Sequence, residues 1–207
     1  MKAAYTKPLL AATLVIIADQ LVKTWVRLNM YPGEEIKFLG ERGMLHYTEN
    51  NSMAFGLELG GDWGKLALTL FRIVAVCGIG YGMVYLIKHK YHRGLIMNVA
   101  LIFAGAMGNI LDSTFYGLLY QTGGNGEPLG LFHGRVVDMF YFPLVSGNFP
   151  AWVPLWGGED FVFFRPVFNF ADASISVGVI LILIFQKHYF KQEEPEEAAP
   201  NSEMVEE

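Results

Sequence analysis

Four long apolar stretches decide what this chain can fold into. Pro8–Leu28, Leu66–Ile87, Leu95–Phe115 and Phe168–Gln186 each approach the roughly 20 residues that a helix needs to cross a bilayer. In lipid the backbone must satisfy its own N–H and C=O groups, so stretches of this kind become helices. Composition agrees: 53% of the 207 residues are hydrophobic and 17% are charged, where a soluble domain carries about a quarter charged residues. The expected fold is an integral membrane protein, mainly α, with four transmembrane helices.

The segments between the helices are uneven. The run "EIKFLGERGMLHYTENNSMAFGLEL" has short, partly alternating apolar stretches broken by Gly-containing turns, which predicts a small periplasmic β-like element at the membrane surface. The run "FPLVSGNFPAWVPLWGGEDFVFFRP" mixes Trp and Phe with Pro and Gly. It fits an aromatic-rich periplasmic loop lying at the lipid headgroups, or a lid packed over the protein. Residues 1–191 are expected to form one membrane domain, followed by a disordered acidic cytoplasmic tail over 192–207. That tail holds seven glutamates and no basic residue, so it accounts for the net charge of −5. No basic cluster suggests nucleic acid as a partner. Cys77 is expected to be a small buried hydrophobe.

Basic residues set the orientation. Lys2 and Lys7 precede the first helix, "KHKYHR" (Lys88–Arg93) joins the second to the third, and Lys187 and Lys191 follow the fourth. Four crossings bring all of these to one side, the cytoplasm, and leave both termini there. The first helix is read as uncleaved, because Asp19, Gln20 and Lys23 follow its apolar core without a small-residue cleavage site.

The polar groups within or beside the helices are the candidates for chemistry, since a charge at membrane depth costs roughly 2.5–3.5 kcal/mol on insertion scales. Asp19 and Lys23 are four apart, the favourable order for an internal ion pair on one helical face; contact with a substrate is the other reading. Gly105, Ala106 and Gly108 form a small-residue surface for close helix approach. Asn109 is expected to hydrogen-bond across to a neighbour, and Asp112 is either solvated at the interface or a candidate acid. Asp138 sits in "RVVDMF", either as a surface acid paired to Arg135 or as a buried carboxyl. Asp172 lies three residues after Asn169, the spacing of an N-cap and its N3 partner. Asp112, Asp138 and Asp172 all fall at the external membrane boundary. Two carboxyls close together in a low-dielectric site share a proton, and such a dyad can activate water for hydrolysis. The histidines lack metal-ligand spacing, and neither a metal nor a cofactor is expected.

Five stretches in order carry a resemblance: "DQLVK" (Asp19–Lys23), "NNSMAFG" (Asn50–Gly56), "GAMGNILD" (Gly105–Asp112), "GRVVDMF" (Gly134–Phe140) and "FNFADAS" (Phe168–Ser174). Together they resemble the lipoprotein signal peptidases, the type II signal peptidases of bacterial inner membranes. The resemblance implies a four-helix aspartic endopeptidase that cuts diacylglyceryl-modified prolipoproteins before the lipidated cysteine. It implies a catalytic pair of Asp138 and Asp172, with supporting roles for Asp19, Lys23, Asn50, Gly105, Asn109, Asn169 and Ala171. It also implies membrane lipids as surroundings, globomycin-type inhibitors, and a monomer. Three departures stand out: Ser113 replaces an arginine, Ser52 replaces a glycine, and a longer aromatic insert separates the two catalytic motifs. The missing basic partner is expected from Arg72 or Arg135. A proton-coupled transporter is the competing class, but its acids would gather near the midplane and its halves would repeat.

Overall fold

The computed structural model describes residues 2–50, 61–122, 126–143, 145–150, 152–154, 157–163 and 166–190. The acidic tail, Ser52 and the remainder of the "NNSMAFG" stretch after Asn50 lie outside them. Helix α1 spans Lys2–Asn29, α2 Gly61–Lys88, α3 Arg93–Leu111 and α4 Phe170–Tyr189. All four are long and apolar enough to cross a membrane. Helix α1 begins before Pro8, which therefore lies inside it and cannot donate to the carbonyl one turn back. Helix α3 continues beyond Leu111 through a wider π-turn, Asp112–Tyr116, and a last helical turn, Gly117–Leu119.

The helix bundle is apolar outside and polar inside. Leu10, Leu14, Leu21, Phe71, Val74, Leu183 and Ile184 are exposed on its flanks, whereas Asp19, Lys23, Asp112 and Asn169 are completely buried. Lipid offers an apolar side chain no reason to turn inward, so interior positions go to polar groups that find partners and to small residues that allow close packing. Cys77 is exposed, contrary to the buried position expected from its apolar neighbours. On a helix facing lipid, a small apolar residue is as favourable outside as inside.

The helix ends are tied together on both sides. At one end Asn98 donates to the Tyr189 hydroxyl at 3.0 Å, and His92 stacks on the Tyr189 ring. Tyr5 joins the cluster of Met83, Ile87, Ile96 and Ala100 there. At the opposite end a four-stranded antiparallel sheet caps the bundle. Its strands are β1 (Glu35–Lys37), β2 (Met44–Asn50), β3 (Val136–Tyr141) and β6 (Val167–Phe168), in the order β1-β2-β3-β6. Val26, Met30, Tyr47, Tyr116, Val137 and Met139 form the apolar cluster that docks this sheet on the bundle. The aromatic insert contains a hairpin, β4 (Val145–Asn148) with β5 (Asp160–Phe163), where the sequence alone predicts a loop. Its Phe- and Val-containing arms have strand propensity, and Pro and Gly fall in the stretch between them. Trp152 in that stretch is 80% exposed.

Helix α3 is the axis of the molecule, and glycine makes it so. A Cβ on Gly105 would fall on the Ala171 carbonyl of α4, and one on Gly108 would come within 2.6 Å of the Asp19 carboxylate. Gly105→Ala is therefore expected to push α4 off α3. Overpacking of this kind costs about 1–3 kcal/mol, so the midpoint of thermal unfolding in detergent should fall by about 5 °C.

Candidate active site

Strand alternation aims Asp138. Val137 and Met139 enter the apolar cluster beneath the sheet, and the residue between them must point to the opposite face. There the carboxyl of Asp138 is 2% exposed and accepts hydrogen bonds from two amides. Asn169 Nδ2 approaches Oδ1 at 2.7 Å, and Asn50 Nδ2 approaches Oδ2 at 3.1 Å. Burial is the main reason its pKa is pushed up to about 7, and the nearby Asp172 carboxylate adds to the rise.

Asp172 serves two structures at once. Asn169 is the N-cap of α4: its side chain accepts from the Asp172 backbone N–H at 2.9 Å, and the Asp172 carboxylate faces the Asn169 N–H in return. The same carboxylate accepts from Asn109 Nδ2 through Oδ1 at 2.7 Å. The capping box and the site are one arrangement, in which the helix start fixes where the acid stands.

Two asparagines join the acids. Asn169 Nδ2 lies between Asp138 Oδ1 and Asn109 Oδ1, 3.1 Å from the latter, while Asn109 Nδ2 holds Asp172. Asn109 is in turn held from below, because Lys23 Nζ donates to its Oδ1 at 3.0 Å. Lys23 also pairs with Asp19 at 2.9 Å and Asp112 at 2.8 Å, which uses all three of its N–H bonds. Asp19 reaches across to accept from the Ala171 backbone N–H at 3.0 Å, so the ion cluster orders the first turn of α4 as well.

These contacts separate the three acids at the membrane boundary. Asp112 is committed to Lys23, to Gln20 at 2.9 Å and to the Val137 backbone N–H at 3.3 Å. Asp138 and Asp172 are held by neutral amides, which leaves them able to exchange a proton with a bound molecule. The expected pairing of Arg135 with Asp138 is not what forms: Arg135 lies 3.5 Å from Glu49 on β2, and its backbone is clasped by Gln121. Arg135 stands just before β3 begins, and its contact with Glu49 directs its guanidinium toward β2. Ser113, at the position of the absent arginine, is buried and donates back to the Asn109 carbonyl at 3.0 Å.

Gln20 and Tyr116 contribute to the site without having been singled out from the sequence. Gln20 Nε2 contacts Asp19, Asp112 and the Gly108 carbonyl, and the Tyr116 hydroxyl donates to Gln20 Oε1 at 2.9 Å. The available signal was an amide inside an apolar helix directly beside Asp19. Gly134 belongs with them. A Cβ there would fall on the Asp112 carbonyl, and its N–H donates to the Ser113 carbonyl at 2.9 Å, which ties the start of β3 to the end of α3.

Two carboxyls held by amides, Asp138 buried with its pKa near neutrality and Asp172 partly exposed, form a constellation that can share one proton and use it in hydrolysis. Similarity to known proteins identifies the family. The Signal peptidase (SPase) II family matches residues 11–187. A lipoprotein signal peptidase of Porphyromonas gingivalis is 46% identical over 182 residues, covering 83% of this chain and 78% of that one. Another, from Amoebophilus asiaticus, is 40% identical over 184 residues, covering 87% and 78%. The fold matches a bacterial membrane enzyme solved by the in meso method at 2.3 Å resolution, with a TM-score of 0.60 and 24% identity over 91% of this chain and 93% of that one. The family match runs from within the first helix to the end of the fourth and takes in every residue that builds the carboxyl pair and its supports: this chain belongs to the signal peptidase II family.

Proposed function

We propose that this chain is an aspartic endopeptidase of the bacterial inner membrane that removes the signal peptide from diacylglyceryl-modified prolipoproteins, cutting before the lipidated cysteine. The observation that carries the reading is the asparagine bridge, in which Asn169 and Asn109 link a carboxyl from β3 to a carboxyl from α4. Asp172 acts as the base that takes a proton from water, and Asp138, which retains its proton up to about pH 7, donates to the carbonyl oxygen under attack. Water oxygen bonds to the carbonyl carbon and gives a neutral gem-diol. The proton taken from water then passes to the leaving nitrogen as the C–N bond breaks, while Asp138 recovers its own from a diol hydroxyl. No covalent enzyme intermediate is needed.

The pocket lies at the sheet-bearing end of the bundle, the periplasmic end if the basic residues at the other end face the cytoplasm. A substrate with acyl chains can enter sideways between helices and keep those chains in lipid. Globomycin-type inhibitors would occupy the same pocket, and a single chain supplies every group the reaction requires. The test uses the full chain in lipid nanodiscs with a prolipoprotein carrying, or lacking, the diacylglyceryl group. Mass spectrometry is expected to show cleavage before the modified cysteine and at least about 10²-fold slower cleavage of the unmodified form, since lost binding energy from a remote part of a substrate appears in the rate. Equal cleavage of both forms, or cleavage elsewhere, would reject the substrate assignment.

A further inference from the structure

Within the span Trp63–Lys88, helix α2 carries one charge between Lys65 and Lys88, Arg72. It lies nine residues after Trp63, roughly 14 Å along the helix axis. A cation at that depth needs a counter-charge. Helical spacing shows which way it faces. Thr69, Val76 and Met83 are buried, so Arg72 and Ile73 belong to the inward stripe, while Phe71 and Val74 on either side are exposed. The Thr69 hydroxyl lies 3.1 Å from the Phe132 carbonyl, which pins this face of α2 to the segment leading into β3 and Asp138. Arg72 is close enough to Asp172 and Asp138 to interact electrostatically with both, and its long side chain can extend outward toward them.

Among the described residues, the other cations near the pair have contacts of their own. Lys23 uses its three N–H bonds on Asp19, Asp112 and Asn109, and its charge is already outnumbered by the two acids. Arg135 pairs with Glu49, and Arg27 stacks on the rings of Tyr116 and Tyr120. Among the described residues, those facing the two carboxyls are Lys23 with Asp19 and Asp112 from α1 and α3, the amides of Asn50, Asn109 and Asn169, and Arg72 from α2. A pair with one proton carries a single negative charge, and Arg72 beside it makes the group neutral overall. Two protons would leave a net positive group in a water-poor site, and none would leave a net negative one.

We propose that Arg72 is a positioning residue that holds the Asp138–Asp172 pair in its one-proton state by charge balance from α2. The assignment rests on the reading of that pair as catalytic. The pH dependence of kcat/KM tests it, measured on the full chain with lipidated prolipoprotein for wild type, R72Q and R72K. Removing the positive charge makes each ionised state of the pair less favourable, so both limbs of the R72Q profile should move to higher pH by about one unit. At the wild-type optimum R72Q should then lose activity several-fold and regain most of it about one unit higher. R72K keeps the charge, and its limbs should stay within a few tenths of a unit of wild type.

A uniform fall in R72Q activity at every pH, with unmoved limbs, would overturn the proposal. So would an R72K profile displaced as far as that of R72Q. Should R72Q fail to fold, R72K alone decides: limbs near wild type support the charge role, and a shift of about one unit rejects it. A wild-type chain that cleaves at no pH, or full activity in both D138N and D172N, would remove the reading beneath the proposal and the proposal with it. An active wild type with an unmoved R72Q profile removes Arg72 alone.

Discussion

Asp138→Asn and Asp172→Asn are each expected to lower the rate of prolipoprotein cleavage by about 10³-fold, the scale at which a positioned acid or base contributes. Both replacements keep the shape of the side chain, so the fold should survive. The new amide in D172N would still offer an oxygen to the Asn109 donor, and the one in D138N would keep one acceptor for Asn169 or Asn50. The Asp138 variant carries a second signature. A carboxyl whose folded pKa is raised from 3.8 to about 7 supports the fold fully below about pH 4 and loses that support as the pH rises toward 7. The variant cannot ionise, so its unfolding midpoint relative to wild type should improve by about 5 °C between pH 5 and pH 8. Thermal unfolding at the two pH values checks this. A difference that stays constant would mean that Asp138 is not held protonated by burial.

Lys23→Met should be the most destabilising single change in the bundle. It leaves Asp19 and Asp112 facing one another without a cation, and removing one partner from a buried ion group costs about 3–5 kcal/mol. For a chain of this length that corresponds to about 10 °C in unfolding midpoint. Cleavage should also fall, because Asn109 Oδ1 loses one of its two donors and keeps only Asn169, which loosens the orientation that presents Nδ2 to Asp172. The double variant Lys23→Met/Asp112→Leu separates the two effects. Removing the unpaired acid should restore much of the midpoint, while the rate stays low because Asn109 still lacks the Lys23 donor. Recovery of both together would mean that the ion cluster only holds the fold and does not position the pair.

The membrane architecture was legible in the sequence because it depends on a local quantity. A run of about 20 apolar residues becomes a spanning helix whatever its neighbours do, and all four runs did so. The Asp19–Lys23 pair was legible for the same reason, since four residues along one helix is a fixed distance. So was the cap of α4, where Asn169 and Asp172 lie within one turn. A residue three or four places away is a neighbour by geometry, before any tertiary contact forms.

Contacts between elements were another matter. Asp112, Asp138 and Asp172 looked alike in the chain, each an acid at the external boundary, and nothing local said which would be neutralised. The third contact of Lys23, across to α3, decided it: Asp112 took the cation, and the other two acids were left to the amides. Nor could the sequence tell Arg135, three residues from Asp138, from Arg72, sixty-six away. The nearer arginine, just before β3, went to Glu49 on β2, and the distant one stands on the inward stripe of α2 within electrostatic reach of both acids. Sequence sets what depends on a few consecutive residues, namely helix length, caps and pairs along one face. Which buried charge meets which partner is decided only when the helices pack, because in a water-poor interior each ion takes the counter-charge that packing places within reach.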